Sequence, residues 1–304
     1  MRSRTLGRAA NRLKCAPYTR SIPVVAKHIV CLTFDFDAIS GFVARGQTTP
    51  TMISRGEFGP RVGAPRLLAL LKKEKIASSW YVSGHTIETY PDAVKAVVDA
   101  GHEIAHHGWR HIPPASLSRE DEEAELVRGN EAIKRIAGTY ARGYRSPSWD
   151  LSPHSIELML KHGFTYDSSM MGHDYLPYYA RQGDVVELEQ PLRFGKPSKL
   201  VEMPISWHTD DAPHFEYTRS GTAIRPGLMN AGLVLENWVE EFLQLKKTVK
   251  WGVVTYTCHP FIIGRGYRML MFEKLIRKLK RAGAVFQRMD HTVEEFRRRE
   301  PQSA

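Results

Sequence analysis

Short β-rich runs alternate with amphipathic helical ones along most of this 304-residue chain. Runs rich in β-branched and aromatic residues predict strands at 29–35, 78–82, 102–106, 143–146, 165–168, 200–205, 253–258 and 284–288. Between them, apolar residues recur at helical spacing over 65–74, 92–100, 119–136, 153–162, 235–247 and 269–282. Ser118 and Ser152 are the expected N-caps, and Gly101, Gly138, Gly163 and Gly283 the stops. Seven or eight such alternations predict an α/β fold, a (β/α) barrel or a distorted form of one. A doubly wound open sheet is the alternative, but no Gly-rich fingerprint follows the first strand. Stretches 39–63 and 169–199 show neither period. Loops of that length are usually functional, so both are expected to fold over a site; surface decoration or an oligomer contact is an equal reading of the second.

Composition narrows the class. With 42% hydrophobic and 25% charged residues the chain is not disordered as a whole, and no repeat of a solenoid or propeller is present. The net charge of +10 looks like a nucleic-acid signal until it is located: residues 1–34 hold seven Lys or Arg and no acid, which leaves +3 for the rest. Residues 1–27 are therefore expected to be a basic, disordered tail, and 28–304 a single (β/α)-barrel-like domain without a nucleic-acid partner. A tether to phosphates or anionic lipid, or an Arg-rich targeting peptide, is the functional alternative for the tail. The apolar run Ile22-Pro23-Val24-Val25-Ala26 is too short for a secretory h-region, and no stretch is long enough for a membrane span. Cys15, Cys31 and Cys258 are too few and too scattered for a disulfide framework. A cytoplasmic location is expected from these features. A homo-oligomer is compatible with the sequence, which does not specify one.

Candidate chemistry gathers at the strand ends. Thr33-Phe34-Asp35-Phe36-Asp37 closes the first strand with carboxylates at i and i+2, on one face of an extended chain. Two like charges so placed need a cation, a proton or solvent between them. The third strand ends in His106-His107-Gly108-Trp109-Arg110-His111. In extended chain His107 and His111 lie about 13 Å apart, too far to share one ion, so the chain must bend just after the strand. His106 should point the other way and be structural. Arg145-Ser146-Pro147-Ser148-Trp149, Trp207-His208-Thr209-Asp210-Asp211 and His259-Pro260 close three further strands. Each cluster alone has a bland reading as a salt bridge or turn; five at carboxyl ends of strands are where barrel folds build active sites. Cys258, next to His259, should face into packing.

In order and combination these motifs resemble the polysaccharide deacetylase, or NodB-homology, family over residues 28–290 or so. The resemblance implies a distorted (β/α) barrel of about seven strands. It also implies a divalent metal, most often Zn²⁺, held by Asp37, His107 and His111. Asp35 would be the general base with Arg145 as its orienting partner, and His259 the general acid tuned by Asp210 or Asp211. Trp149 and Trp207 would contact substrate or support the site. Where the common family pattern has adjacent aspartates, Phe36 separates them here. That spacing, with the long first loop containing Ser54-Arg55-Gly56-Glu57-Phe58-Gly59, resembles a branch with cytoplasmic-type peptidoglycan deacetylases, allantoinase-like enzymes and cyclic imide hydrolases.

The residues fit the chemistry independently. Two imidazoles and a carboxylate leave open positions on an ion, a second carboxylate can act as base, and a histidine can protonate a departing nitrogen. The expected activity is thus hydrolysis of an amide-type C–N bond, and the resemblance implies the N-acetyl group of an amino sugar or its polymer as the target. A cyclic imide or ureide is the alternative substrate. Tyr175, Tyr178, Tyr179, Trp149 and Trp207 suit stacking on sugar rings or the lining of a small pocket. A catalytically silent binding protein using the basic tail would have lost acids or histidines from the motifs, and none is missing.

Overall fold

The computed structural model describes residues 27–220, 223–225 and 227–302, so the tail expected over 1–27 and Cys15 lie outside the described residues except for Lys27. The strands in chain order are β1 (Lys27–Phe36), β2 (Ser79–Val82), β3 (Glu103–His106), β4 (Gly143–Tyr144), β5 (Tyr166–Asp167), β6 (Tyr178–Gln182), β7 (Lys196–Glu202), β8 (Thr218–Ser220), β9 (Ala223–Arg225), β10 (Trp251–Cys258) and β11 (Val285–Phe286). Seven of them form the parallel series β10-β1-β2-β3-β4-β5-β7, with β6 antiparallel on β7 and β11 beside the start of β1. The two ends of the series approach through a Val253 N–H bond to the Tyr175 carbonyl at 2.9 Å and a parallel bridge from Asp210 to Thr257. This is the distorted barrel that the alternation predicts.

Burial on both faces explains the strand sequences. On β1, Val30, Leu32, Phe34 and Phe36 pack outward under the helices, while Ile29 and Cys31 face the interior, followed on that face by Thr33 and Asp35. On β10, Val254, Tyr256 and Cys258 face outward and Trp251 and Val253 inward. Cys258 therefore sits in packing, as expected. The interior is apolar at the amino end and polar at the carboxyl end of each such row. The amino end is covered by the helix Met289–Arg299, whose Met289, Val293 and Phe296 join the interior cluster. Its apolar residues recur at helical spacing, but they are few among charged neighbours.

The outer helices, Ala64–Glu74, Pro91–Asp99, Arg119–Ala137, Ser155–Lys161, Ala231–Thr248 and Gly266–Arg281, match the expected segments. Ser118 caps its helix by accepting from Asp121 N at 3.1 Å, and Gly138 ends it at φ 81°. Ser152 does not cap the next helix, which starts two residues later than expected; its hydroxyl accepts from His154 N at 2.9 Å instead. Stretch 39–63 is not an irregular loop but helical, with Ser40–Ala44, Pro50–Phe58 and a wide turn at Gly59–Gly63. It is held by packing: Phe42 meets Phe261 at 5.5 Å, and a Cβ on Gly63 would lie 2.0 Å from the Pro260 carbonyl oxygen. Stretch 169–199 contains β6. Among the described residues no helix is long and apolar enough to cross a membrane.

Candidate active site

The interior rows of β1, β3, β4 and β10 run on at their carboxyl ends into Asp35 and Asp37, His107, Arg145 and His259. Past β3 the chain reverses through left-handed backbone at Gly108 (φ 69°) and His111 (φ 63°), which sets the two imidazoles 4.9 Å apart. Glu125 Oε2 secures this turn by accepting from the Trp109 and Arg110 amides at 2.8 and 2.7 Å. His106 points outward as expected. Its Nδ1 accepts from Gly108 N at 3.0 Å and its Nε2 donates to the Leu126 carbonyl at 3.1 Å, while burial pushes the ring down to about 3.

His107 Nδ1 donates to the Arg145 carbonyl at 2.7 Å, which leaves Nε2 as the lone-pair nitrogen. That Nε2 lies 3.4 Å from Asp37 Oδ1, and His111 Nε2 lies 3.3 Å from Asp37 Oδ2. Thr86 and Ser40 hydroxyls both donate to the Asp37 carbonyl at 2.7 Å and fix its backbone. Burial alone would raise the Asp37 carboxyl; His111, His107 and His259 around it hold it well below the usual range. Asp37 Oδ1 is buried with no hydrogen-bond partner, and the three ligand atoms lie within 4.8 Å of one another. Two imidazole nitrogens, one carboxylate and an orphaned oxygen among them fit a divalent ion.

Asp35 stands beside this trio. Arg145, fully buried, donates from Nη1 to Asp35 Oδ1 at 2.6 Å and to Thr33 Oγ1 at 3.0 Å. Its Nε and Nη2 bond the Ser168 carbonyl and hydroxyl at 3.1 and 3.0 Å, and its guanidinium lies 3.9 Å over the Tyr81 ring. Burial would lower this guanidinium, but Asp35 and its neighbours raise it. The other oxygen, Asp35 Oδ2, is 4.0 Å from His107 Nε2 and 3.5 Å from Trp149 Nε1.

His259 Nδ1 is 2.7 Å from Asp211 Oδ1, and its backbone N–H donates to the same carboxylate at 3.0 Å. Asp210, by contrast, is 3.5 Å from Nδ1 and accepts from Ala212 N at 2.9 Å. Burial would lower the His259 ring, but Asp210, Asp211 and Asp37 push it well above its ordinary value. Its Nε2 points back to the trio, 3.7 Å from Asp37 Oδ2.

Asp35, Asp37, His107, His111, Asp210 and His259 line a cavity of about 540 Å³. Trp149 and Trp207 form one wall, stacked at 3.9 Å with 17° between their planes, and backbone with positive φ at Ser148 and Trp149 aims the first of them. Tyr175, Tyr178 and Tyr179 are not part of it. Tyr175 is bonded to Glu241, Tyr178 receives Gly172 N, and Tyr179 reaches the Glu300 carbonyl. The sequence reading missed Arg45, Ala212, Pro213, Glu216, Phe261 and Ile262, which line the other walls. Phe261 and Ile262 directly follow His259-Pro260, and Arg45 lies in the long first insertion.

The chain is similar to known proteins over nearly its whole length. The polysaccharide deacetylase family model matches residues 25–166. A peptidoglycan deacetylase from Helicobacter pylori is 34% identical over 91% of this chain and 99% of its own length. A peptidoglycan deacetylase-like protein from Gibberella zeae is 30% identical over 84% of this chain and 81% of its own. A solved structure from Mycobacterium smegmatis, assigned as a polysaccharide deacetylase, superposes with a TM-score of 0.80 at 30% identity over 93% of this chain and 96% of that one. A solved allantoinase at 20% identity shares the fold, with a TM-score of 0.74 over 95% and 96% of the two chains. On nearly full-length similarity at these identities, the chain belongs to the polysaccharide deacetylase family of carbon–nitrogen hydrolases.

Proposed function

We propose that this chain removes N-acetyl groups from an amino sugar or its polymer, with a divalent metal held by Asp37, His107 and His111. The observation that carries the reading is the Asp37 carboxylate, whose two oxygens each face an imidazole nitrogen, His107 at Oδ1 and His111 at Oδ2, and whose buried Oδ1 has no hydrogen-bond partner. Neutral imidazoles with one carboxylate suit Zn²⁺. An ion held by these three residues would supply Lewis-acid chemistry, polarising a carbonyl oxygen and bringing the pKa of water from about 15.7 towards about 7.

The chain's own groups supply the rest. Asp35 is fixed through Oδ1 by Arg145, so Oδ2 faces the cavity and takes the proton of the attacking water. An amide nitrogen leaves only when protonated, and His259 Nε2 is placed to give that proton. Asp211 orients the ring through Nδ1 and favours its charged form, while Asp210 lines the cavity. Trp149, Trp207 and Phe261 offer flat apolar surface to a sugar ring. Relatives named as peptidoglycan deacetylases support a sugar N-acetyl substrate.

The test is a panel of N-acetylglucosamine oligomers, succinimide and allantoin, given to chelator-stripped and zinc-reloaded protein. Acetate release from the oligomers, present only after reloading, is expected. Turnover of succinimide or allantoin instead assigns the ring-opening alternative, and silence on all three after reloading contradicts the hydrolase reading.

A further inference from the structure

We propose that Arg45 makes this cavity selective for substrates that carry a carboxylate beside the scissile amide; the inference rests on the hydrolase reading above. Arg45 is the one Lys or Arg among the described residues that line the cavity. Its guanidinium sits 5.3 Å over the Phe42 ring, and Nε reaches only Gln47 Oε1, at 3.5 Å. Among the described residues no carboxylate lies within ion-pair distance of it, although Asp35, Asp37, Asp210 and Glu216 line the same space. Asp35, Asp37 and Asp210 are engaged by Arg145 and the histidines, and Glu216 lies 3.9 Å from Arg55.

Position gives the charge a target. A Cβ on Gly41 would lie 3.4 Å from both Arg45 Nη1 and His111 Cε1, so the two side-chain tips flank the same bare backbone. A group bound by Arg45 is thus close to any acyl carbon presented to the His107–His111 trio. The flank behind it is electropositive as well. Arg55 lies 5.9 Å over the same Phe42 ring, Arg265 is 4.0 Å over Phe58, and Arg268 is 5.0 Å over Phe215. Burial and the neighbouring arginines lower both Arg55 and Arg265. Glu216, which reaches the cavity from that side, offsets part of this charge through Arg55. One planar guanidinium with a single uncommitted charge matches a carboxylate, which it can grip with two parallel hydrogen bonds.

The probes are N-acetylmuramic acid, an N-acetyl amino sugar with a lactyl carboxylate, and its neutral methyl ester. Binding is read from the fluorescence of Trp149 and Trp207 in the cavity wall, and turnover is followed separately on zinc-loaded protein. The acid should bind about ten-fold tighter than the ester, roughly the lower range for a charge-assisted hydrogen bond at a solvent-open site. In Arg45→Gln that ratio should fall to near one, in Arg45→Lys it should be partly kept, and added salt should shrink it. Equal binding of acid and ester, no binding of either, or a ratio unchanged in Arg45→Gln overturns the proposal. A charge preference without hydrolysis upholds Arg45 and counts against the hydrolase reading; hydrolysis of both probes without preference does the reverse.

Discussion

The carbonyl oxygen of Arg145 receives the Nδ1 hydrogen of His107 at 2.7 Å, while the guanidinium of the same residue holds Asp35 at 2.6 Å. One residue at the end of β4 therefore sets the tautomer of a candidate metal ligand through its backbone and the orientation of a candidate base through its side chain.

That division of labour is separable by mutation. Arg145→Lys leaves the backbone contact to His107 intact, but an ammonium cannot serve Asp35, Thr33 and both Ser168 oxygens together. Metal content should be unchanged while turnover falls about 10²-fold or more. Weakening this buried pair should cost up to about 3 kcal/mol of stability, read from denaturant unfolding.

The two acids of the fourth motif should separate just as clearly. Asp211 bonds the His259 ring at 2.7 Å, whereas Asp210 is occupied with Ala212 N. Asp211→Asn should lower turnover by about 10²-fold or more, and Asp210→Asn by less. Asp211 helps raise the His259 ring, so its loss lowers that ring's pKa and moves the alkaline limb of the pH–rate profile towards lower pH. An unmoved limb would assign that limb to another group.

Much of this site was legible because interior rows read as chemistry. Thr33, Asp35 and Asp37 keep the strand period past the apolar part of β1, and His107 is two residues beyond Ala105 on the same face of β3. Arg45, Phe261 and Ile262 were not legible as cavity walls, since only packing of the Gly59–Gly63 turn on Pro260 brings their segments together. The helix Ser40–Ala44 is too short to show a period. In Met289–Arg299 the spacing of Met289, Val293 and Phe296 is helical, but charged neighbours mask it. The choice between Asp210 and Asp211 depends on which carboxylate turns towards β10, and adjacent sequence positions cannot give that.

Stability in acid should report on His102, far from the site. Its Nδ1 accepts from the Ser78 backbone N–H at 3.1 Å, and the Ser78 hydroxyl, 3.1 Å away, itself receives Trp80 Nε1 at 3.0 Å. That ring must be neutral, and burial with the charge of Arg288 pushes it down to about 4. The unfolded chain, at the ordinary value near 6.5, then binds more protons through this window. Stability should fall as pH drops from about 6.5 towards about 4. In His102→Asn, whose amide oxygen can replace Nδ1 as acceptor, urea midpoints across that range should slope less. Equal slopes would show that other groups govern the acid limb.

The central claim is that Asp37, His107 and His111 hold the metal while Asp35 and His259 move protons beside it. It is tested most directly by elemental analysis of purified variants alongside their turnover. Asp35→Asn and His259→Ala should each keep about one ion per chain, like the parent, yet lose activity by about 10²-fold or more. Asp37→Ala and His107→Ala should lose most of the ion as well as the activity. Loss of metal from His259→Ala would make His259 a ligand, and retention in Asp37→Ala with loss in Asp35→Asn would exchange the roles of the two aspartates; either result contradicts the account.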